Sequence, residues 1–335
     1  MGDVRDKKIV IFGCKTTTIF LIDSLKEYLM FDNIVTISPK KGQSAQVADY
    51  IDMAQYSNDN NMTCYSAHRY DLKNEEDFNY FKSQKFDIGF VMGWQRLIPE
   101  DILNTFSIGV FGMHGSTDDL PRGRGRSPMN WALIENRSFF VTNLFKYNAG
   151  VDSGDILDKF TFSIQTNDTA ETMHFKNVLA MKNLILKNID KLVKNVFTLD
   201  KQKEGIPSFY PKRDPSDSLI DFNNDIFSID AFIRAVTKPF NGAFSFIENK
   251  KVVLYRASIF ETDITEHIYK DKIDGEVLEI FQNGKFIVKC RGGILIVHEY
   301  DAIESLSKGD LFGTYNKTIK HFQRNRYGTY DLEVI

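Results

Sequence analysis

Residues 109–157 constrain the fold of this chain more than any other stretch. They read GVFGMHGSTDDLPRGRGRSPMNWALIENRSFFVTNLFKYNAGVDSGDIL. A short apolar run ends in His114, set between small residues. A turn-rich, arginine-rich loop follows and closes at Pro128. The pattern then predicts an amphipathic helix from Met129 and a strand over 139–147. The stretch ends in a glycine-punctuated acidic loop holding Asp152. A His at one strand end and an Asp in the loop after the next strand are brought together when both strands share one sheet.

The flanking sequence predicts such a sheet. Residues 8–13 read as a buried strand ending in Gly13, and a helix pattern starts near Thr17. This is the opening βα unit of a doubly wound α/β fold. It lacks GxGxxG, so a dinucleotide reading has little support. The 13–18 loop is either an ordinary turn or a substrate contact at the strand's carboxyl end. Further strands are predicted over 33–38 and 63–67. A helix over 74–84 has Glu75, Glu76 and Asp77 in its first turn, where they suit the helix dipole. Residues 86–93 form a continuous apolar strand of the kind buried on both faces, and a helix starts after Pro99. A strand over 159–164 and a long helix over 169–195 complete this half.

Residues 206–215 are rich in proline and read as linker. Beyond it come a short helix within 221–238 and short strands over 243–248, 251–259, 275–281, 285–290 and 294–300. Asn249-Lys250, Asn283-Gly284 and Arg291-Gly292-Gly293 mark turns between them. This predicts a small open barrel. The expected division is 1–204, a linker over 205–220, and a β-rich domain over 221–335.

A length of 335 residues suits two domains, and a net charge of −3 argues against general affinity for nucleic acid. From Ile206 onward acidic residues slightly outnumber basic ones. The cluster Lys317, Lys320, Arg324 and Arg326 reads as a solvated tail. No apolar run is long enough to span a bilayer. The charged start, with Arg5 and Lys7 running into a strand, is neither a signal peptide nor a convincing myristoylation site at Gly2. Three cysteines without a CxxC pair predict a reducing, cytoplasmic setting and no metal site.

His114-Gly115-Ser116, Leu120-Pro121, Arg124-Gly125, Pro128 and Gly150-Val151-Asp152-Ser153-Gly154-Asp155 together resemble the folate-dependent formyltransferases. The resemblance implies a Rossmann-like formyltransferase domain followed by a small OB-like domain, with 10-formyltetrahydrofolate as formyl donor. It implies His114 and Asp152 as the catalytic pair. It places Met92, Trp94, Gln95 and Leu97 near the folate, together with Asp152. For Trp94 a core anchor is an equal alternative. Gly112 stands where the family usually carries an Asn that helps bind the formyl oxygen.

The form RGRSPMNWALI looks most like the sugar-amine branch, whose members are frequently homodimers. That branch implies a nucleotide-linked amino sugar as partner. Methionyl-tRNA formylation, a non-catalytic relative, and a hydrolase that releases formate are the alternatives. Formyl transfer requires a neutral amine, a base for its proton, and donors for the oxyanion of the tetrahedral intermediate. A His suits the proton work and a carboxylate orients it. No covalent intermediate is needed, so Ser116 need not be a nucleophile. Arg124 reads as a structural loop residue, while Arg122 and Arg126 stay open. Asp118 and Asp119 read as turn residues, and His174 as a packed or surface residue.

Overall fold

The computed structural model describes residues 7–47, 49–263, 267–316, 320–324 and 330–334. Gly2, Arg5, Lys317 and Arg326 lie outside them. In chain order the elements begin with β1 (Ile9–Phe12), α1 (Thr16–Leu25), β2 (Asn33–Thr36), α2 (Pro39–Ser44), α3 (Met53–Asp59) and β3 (Thr63–Ser66). Then come α4 (Glu75–Gln84), β4 (Ile88–Val91), α5 (Glu100–Leu103), β5 (Gly109–Ser116), β6 (Arg124–Gly125) and α6 (Pro128–Ile134). β7 (Phe139–Lys146), β8 (Ile156–Ser163), α7 (Ala170–Val193), β9 (Phe209–Tyr210) and α8 (Ile226–Val236) follow. The remainder is strand: β10 (Ala243–Ile247), β11 (Lys250–Glu261), β12 (Val277–Ile280), β13 (Phe286–Cys290), β14 (Gly293–Ala302), β15 (Lys320–Arg324) and β16 (Tyr330–Val334).

The chain forms two compact units. The first comprises residues 1–124, 141–161 and 176–207, and the second 125–140, 162–175 and 208–335. The first is built on a sheet of order β3-β2-β1-β4-β5-β7-β8. β3, β2, β1, β4 and β5 run parallel, and β7 joins β5 antiparallel. All four residues of β1, β2 and β4 are buried, as parallel strands covered on both faces require. Alternate residues divide between two cores. Ile9, Ile11, Ile88 and Phe90 pack with Leu21, Leu25, Leu184, Ile185 and Leu192 of α1 and α7. Val10, Phe12 and Val91 pack with Phe81 of α4 and Ile102 of α5.

This packing sets strand carboxyl ends side by side. At one of them Thr18 Oγ1 donates to the Met92 carbonyl at 2.6 Å and accepts from the Lys15 N–H at 3.3 Å. The turn after β1 is thereby tied to the corner after β4.

The second unit carries an antiparallel sheet of order β10-β11-β14-β13-β12. Its core joins Ile229 and Ile233 of α8 to Leu254, Phe286 and Val297. The five strands fall where the alternation of the sequence predicts them. β15 and β16 form a hairpin in a stretch whose sequence predicts only a solvated tail. The basic residues there break the apolar alternation by which a strand is recognised. Within the same unit Trp131 stacks on Tyr210 at 5.7 Å, and its Nε1 donates to the Pro211 carbonyl at 2.9 Å. No helix among the described residues is long and apolar enough to cross a membrane.

Thr18→Val keeps the shape of a buried side chain and strands the Met92 carbonyl. It is expected to cost about 1–3 kcal/mol, read as a lower urea midpoint at unchanged slope.

Candidate functional site

His114 lies on the antiparallel pair of β5 and β7, opposite Asn143 in the register. Its ring is buried, 9% exposed. Nε2 stands 2.9 Å from the Gly123 carbonyl oxygen. Nδ1 stands 3.4 Å from Asp152 Oδ2. A carbonyl only accepts, so Nε2 carries a proton and donates to Gly123. In the neutral ring the lone pair is therefore on Nδ1, the nitrogen facing Asp152. The two residues that the motif singled out are thus brought together, and the tautomer is set by the arginine-rich loop between them.

That loop is held from within. Ser116 is fully buried; its Oγ donates to the Arg122 carbonyl at 2.7 Å and accepts from the Asp118 N–H at 3.2 Å. A hydroxyl so engaged is a loop fastening and not a nucleophile. Asp119 accepts from Lys159 Nζ at 2.7 Å and Lys203 Nζ at 2.6 Å. These two bonds hold its carboxyl below the usual carboxylate range. The turn-residue reading of Asp119 misses this ion cluster. Arg122 is exposed, whereas Arg124 Nη2 donates to Gln202 Oε1 at 2.6 Å. Arg124 therefore serves the loop, as its position in the motif suggests.

Gln202 is a residue that the sequence pattern does not single out. Its Nε2 donates to the Asp152 carbonyl at 2.7 Å and the Gly154 carbonyl at 2.9 Å. Together with Arg124 it clamps the acidic loop. Asp152 itself has φ +47°, a left-handed conformation that Asp tolerates better than most residues. Two positions later a Cβ on Gly154 would stand 1.7 Å from the Lys146 carbonyl oxygen, so only glycine lets the loop fold back on β7. Asn143 also escapes the sequence reading. It is fully buried and its Nδ2 lies 3.4 Å from the His114 carbonyl, while its Oδ1 has no partner among the described residues.

Gly112 lies two residues before His114 on the same face of β5. A Cβ there would meet Tyr147 Cε2 at 2.3 Å and Val91 Cβ at 3.0 Å. The space of a side chain at this position is filled by the Tyr147 ring.

At the corner after β4, Met92 and Trp94 are buried, 1% and 7% exposed, while Leu97 is exposed at 43%. The Trp94 ring packs edge-on against Tyr70 and Phe12. Its Nε1 has no hydrogen-bond partner among the described residues. The Gln95 N–H donates to Tyr70 Oη at 3.1 Å. The Trp94 side chain is thus a core anchor of this corner. Cys14, Cys64 and Cys290 are free thiols.

Residues 7–188 match the family described as formyl transferase, and residues 212–305 match the formyl transferase C-terminal domain. The bifunctional polymyxin resistance protein ArnA of Wigglesworthia glossinidia brevipalpis is 32% identical over 188 residues, or 56% of this chain. The match spans 28% of that longer protein. Among solved structures, an N-formyltransferase from Helicobacter canadensis, in complex with folinic acid and dTDP-3-aminofucose, superposes with TM-score 0.62 at 17% identity. That likeness covers 88% of this chain and all of the other. WlaRD, a sugar 3N-formyl transferase solved with dTDP and 5-N-formyl-THF, gives 0.61 at 20% identity over 90% and 99% of the two chains. At these identities the two structures establish a shared fold.

Gln202→Ala leaves two loop carbonyls and Arg124 without their partner. A loss of about 1–3 kcal/mol is expected in urea unfolding. Asp119→Asn tests the ion cluster. Because the folded carboxyl is depressed, its stabilisation is present above about pH 4 and fades as pH falls through the folded value. The wild type should melt above the variant at pH 7, and the gap should close in acid and shrink in salt.

Proposed function

The chain belongs to the formyl transferase family, and on that premise we propose that it carries a formyl group from 10-formyltetrahydrofolate to the amine of a nucleotide-linked amino sugar. The observation that carries this reading is the buried His114–Asp152 pair at 3.4 Å, with Nε2 committed to Gly123. The sugar-amine acceptor is favoured by the dTDP ligands of the two structural relatives and by the arginine-rich loop. The acid-leaning C-terminal half offers little to a polyanion, since phosphate contacts dominate tRNA affinity.

On this reading residues 1–204 form the catalytic domain, 205–220 a linker, and 221–335 a β-rich accessory domain. Met92, Trp94, Gln95 and Leu97 form the folate corner. Met92 and Trp94 anchor it and present backbone groups, and Leu97 offers exposed apolar surface. The free cysteines suit a reducing cytoplasm.

The chemistry follows from the tautomer. The acceptor amine attacks the formyl carbon, forming the new N–C bond as the carbonyl π pair moves to oxygen. His114 Nδ1 takes the proton from the amine nitrogen, and the Asp152 carboxylate stabilises the imidazolium. The oxyanion then re-forms the carbonyl, the bond to the folate nitrogen breaks, and Nδ1 returns its proton to that nitrogen. His114 ends neutral, ready for another cycle.

Mass spectrometry of the protein with the formyl donor and a panel of nucleotide-linked amino sugars, alongside methionyl-tRNA, tests the proposal. A sugar heavier by one formyl group is expected, with the rate about 100- to 10,000-fold lower in His114→Ala. Formylated tRNA alone, formate alone, or no product would each overturn it. In the last case folate binding without turnover would identify a non-catalytic relative.

A further inference from the structure

Building on that formyl-transfer reading, we propose that the Tyr147 hydroxyl is the oxyanion donor of this site and occupies the place left open by Gly112. The tetrahedral intermediate needs a donor aimed at its oxygen. The His114 ring does not supply a spare one, because Nε2–H is spent on Gly123 and Nδ1 is the base. Gly112 offers no side chain, although it shares the strand face with His114. The Tyr147 ring lies where that side chain would extend. Its Cζ, the atom bearing the hydroxyl, stands 3.0 Å from the position of a Cβ on Gly112.

Three contacts hold the ring. The Tyr147 N–H donates to the Val110 carbonyl at 2.8 Å, which continues the β5–β7 ladder one step past the strand end. The ring stacks on Phe145, with centroids 5.1 Å apart and planes at 3°. Val91 backs the same space. Among the described residues the Tyr147 hydroxyl has no hydrogen-bond partner. Burial, and then the charge of Asp152, pushes the phenol above its ordinary range. It stays protonated at neutral pH and acts as a donor. The role involves no proton transfer: the hydroxyl donates to the formyl oxygen, weakly while it is a neutral carbonyl and more strongly while it carries charge.

Tyr147→Phe removes the donor and keeps the packing. Its kcat is expected to fall about 100- to 1000-fold, with KM for the acceptor and the melting temperature unchanged. Gly112→Ala should lower kcat too, by displacing the ring. A Phe variant with wild-type kcat, beside an inactive His114→Ala, would overturn the role of Tyr147 and leave the functional reading intact. A wild-type protein that formylates nothing would overturn that reading instead. The second arm then decides Tyr147 alone. Affinities for formylated and unformylated tetrahydrofolate are measured in both proteins. Loss of the preference for the formylated form in Tyr147→Phe supports the donor role, and an unchanged ratio overturns it.

Discussion

The His114 ring is pinned on one side by a carbonyl acceptor and faces a carboxylate on the other, and much of the first unit's local structure serves to keep it there. The carbonyl cannot give a proton back. It therefore decides which nitrogen is basic before any substrate arrives. The carboxylate stands at 3.4 Å, longer than a settled hydrogen bond of about 2.7–3.2 Å. That looser contact leaves Nδ1 able to exchange its partner, whereas Nε2 at 2.9 Å is fixed. The asymmetry of the two distances gives the ring an anchored side and a working side.

Each of these two groups depends on a different piece of chain, and each piece is fastened by a polar side chain. The Gly123 carbonyl belongs to a loop folded around Ser116 Oγ, with Asp119 tied to Lys159 and Lys203. Asp152 belongs to a loop whose carbonyls are gripped by Gln202, itself gripped by Arg124. Both loops leave strands that are paired in one register, His114 opposite Asn143. Sheet pairing places the loops to within a residue, since a slip of one would turn His114 to the other face. The side-chain fastenings then set the remaining ångström, where positioning has its largest effect on rate.

The parts of this arrangement that the sequence discloses are the local ones. The buried parallel strands show as continuous apolar runs, because nothing on them faces water. The strand-end His114 and the glycine-bounded Asp152 show because turns need particular residues. Gln202 carries no such mark: it reaches its partners across fifty positions of chain, and an isolated glutamine in a polar segment looks like solvent-exposed surface. Asn143 is hidden for the opposite reason, as a polar residue in an otherwise apolar strand pattern. The packing of the Trp94 ring against Phe12 and Tyr70 is likewise invisible in its sequence neighbours. Only a tertiary packing neighbour tells these cases apart.

Gly112 and Tyr147 show the same limit more sharply. Read alone, Gly112 is a missing side chain, and the oxyanion site looks depleted. Read alone, Tyr147 is one more aromatic residue at the end of a strand. The antiparallel register pairs Gly112 with Phe145 and carries Tyr147 past it, so that the ring turns back over the glycine. Each residue then requires the other. A side chain at 112 would collide with the ring, and a small residue at 147 would open a hole beside Val91 and strip the Phe145 ring of its stacking partner. A glycine that looks damaging alone is compatible with the ring that covers it. A change at one motif position is therefore a statement about its spatial neighbour as much as about the residue that was lost.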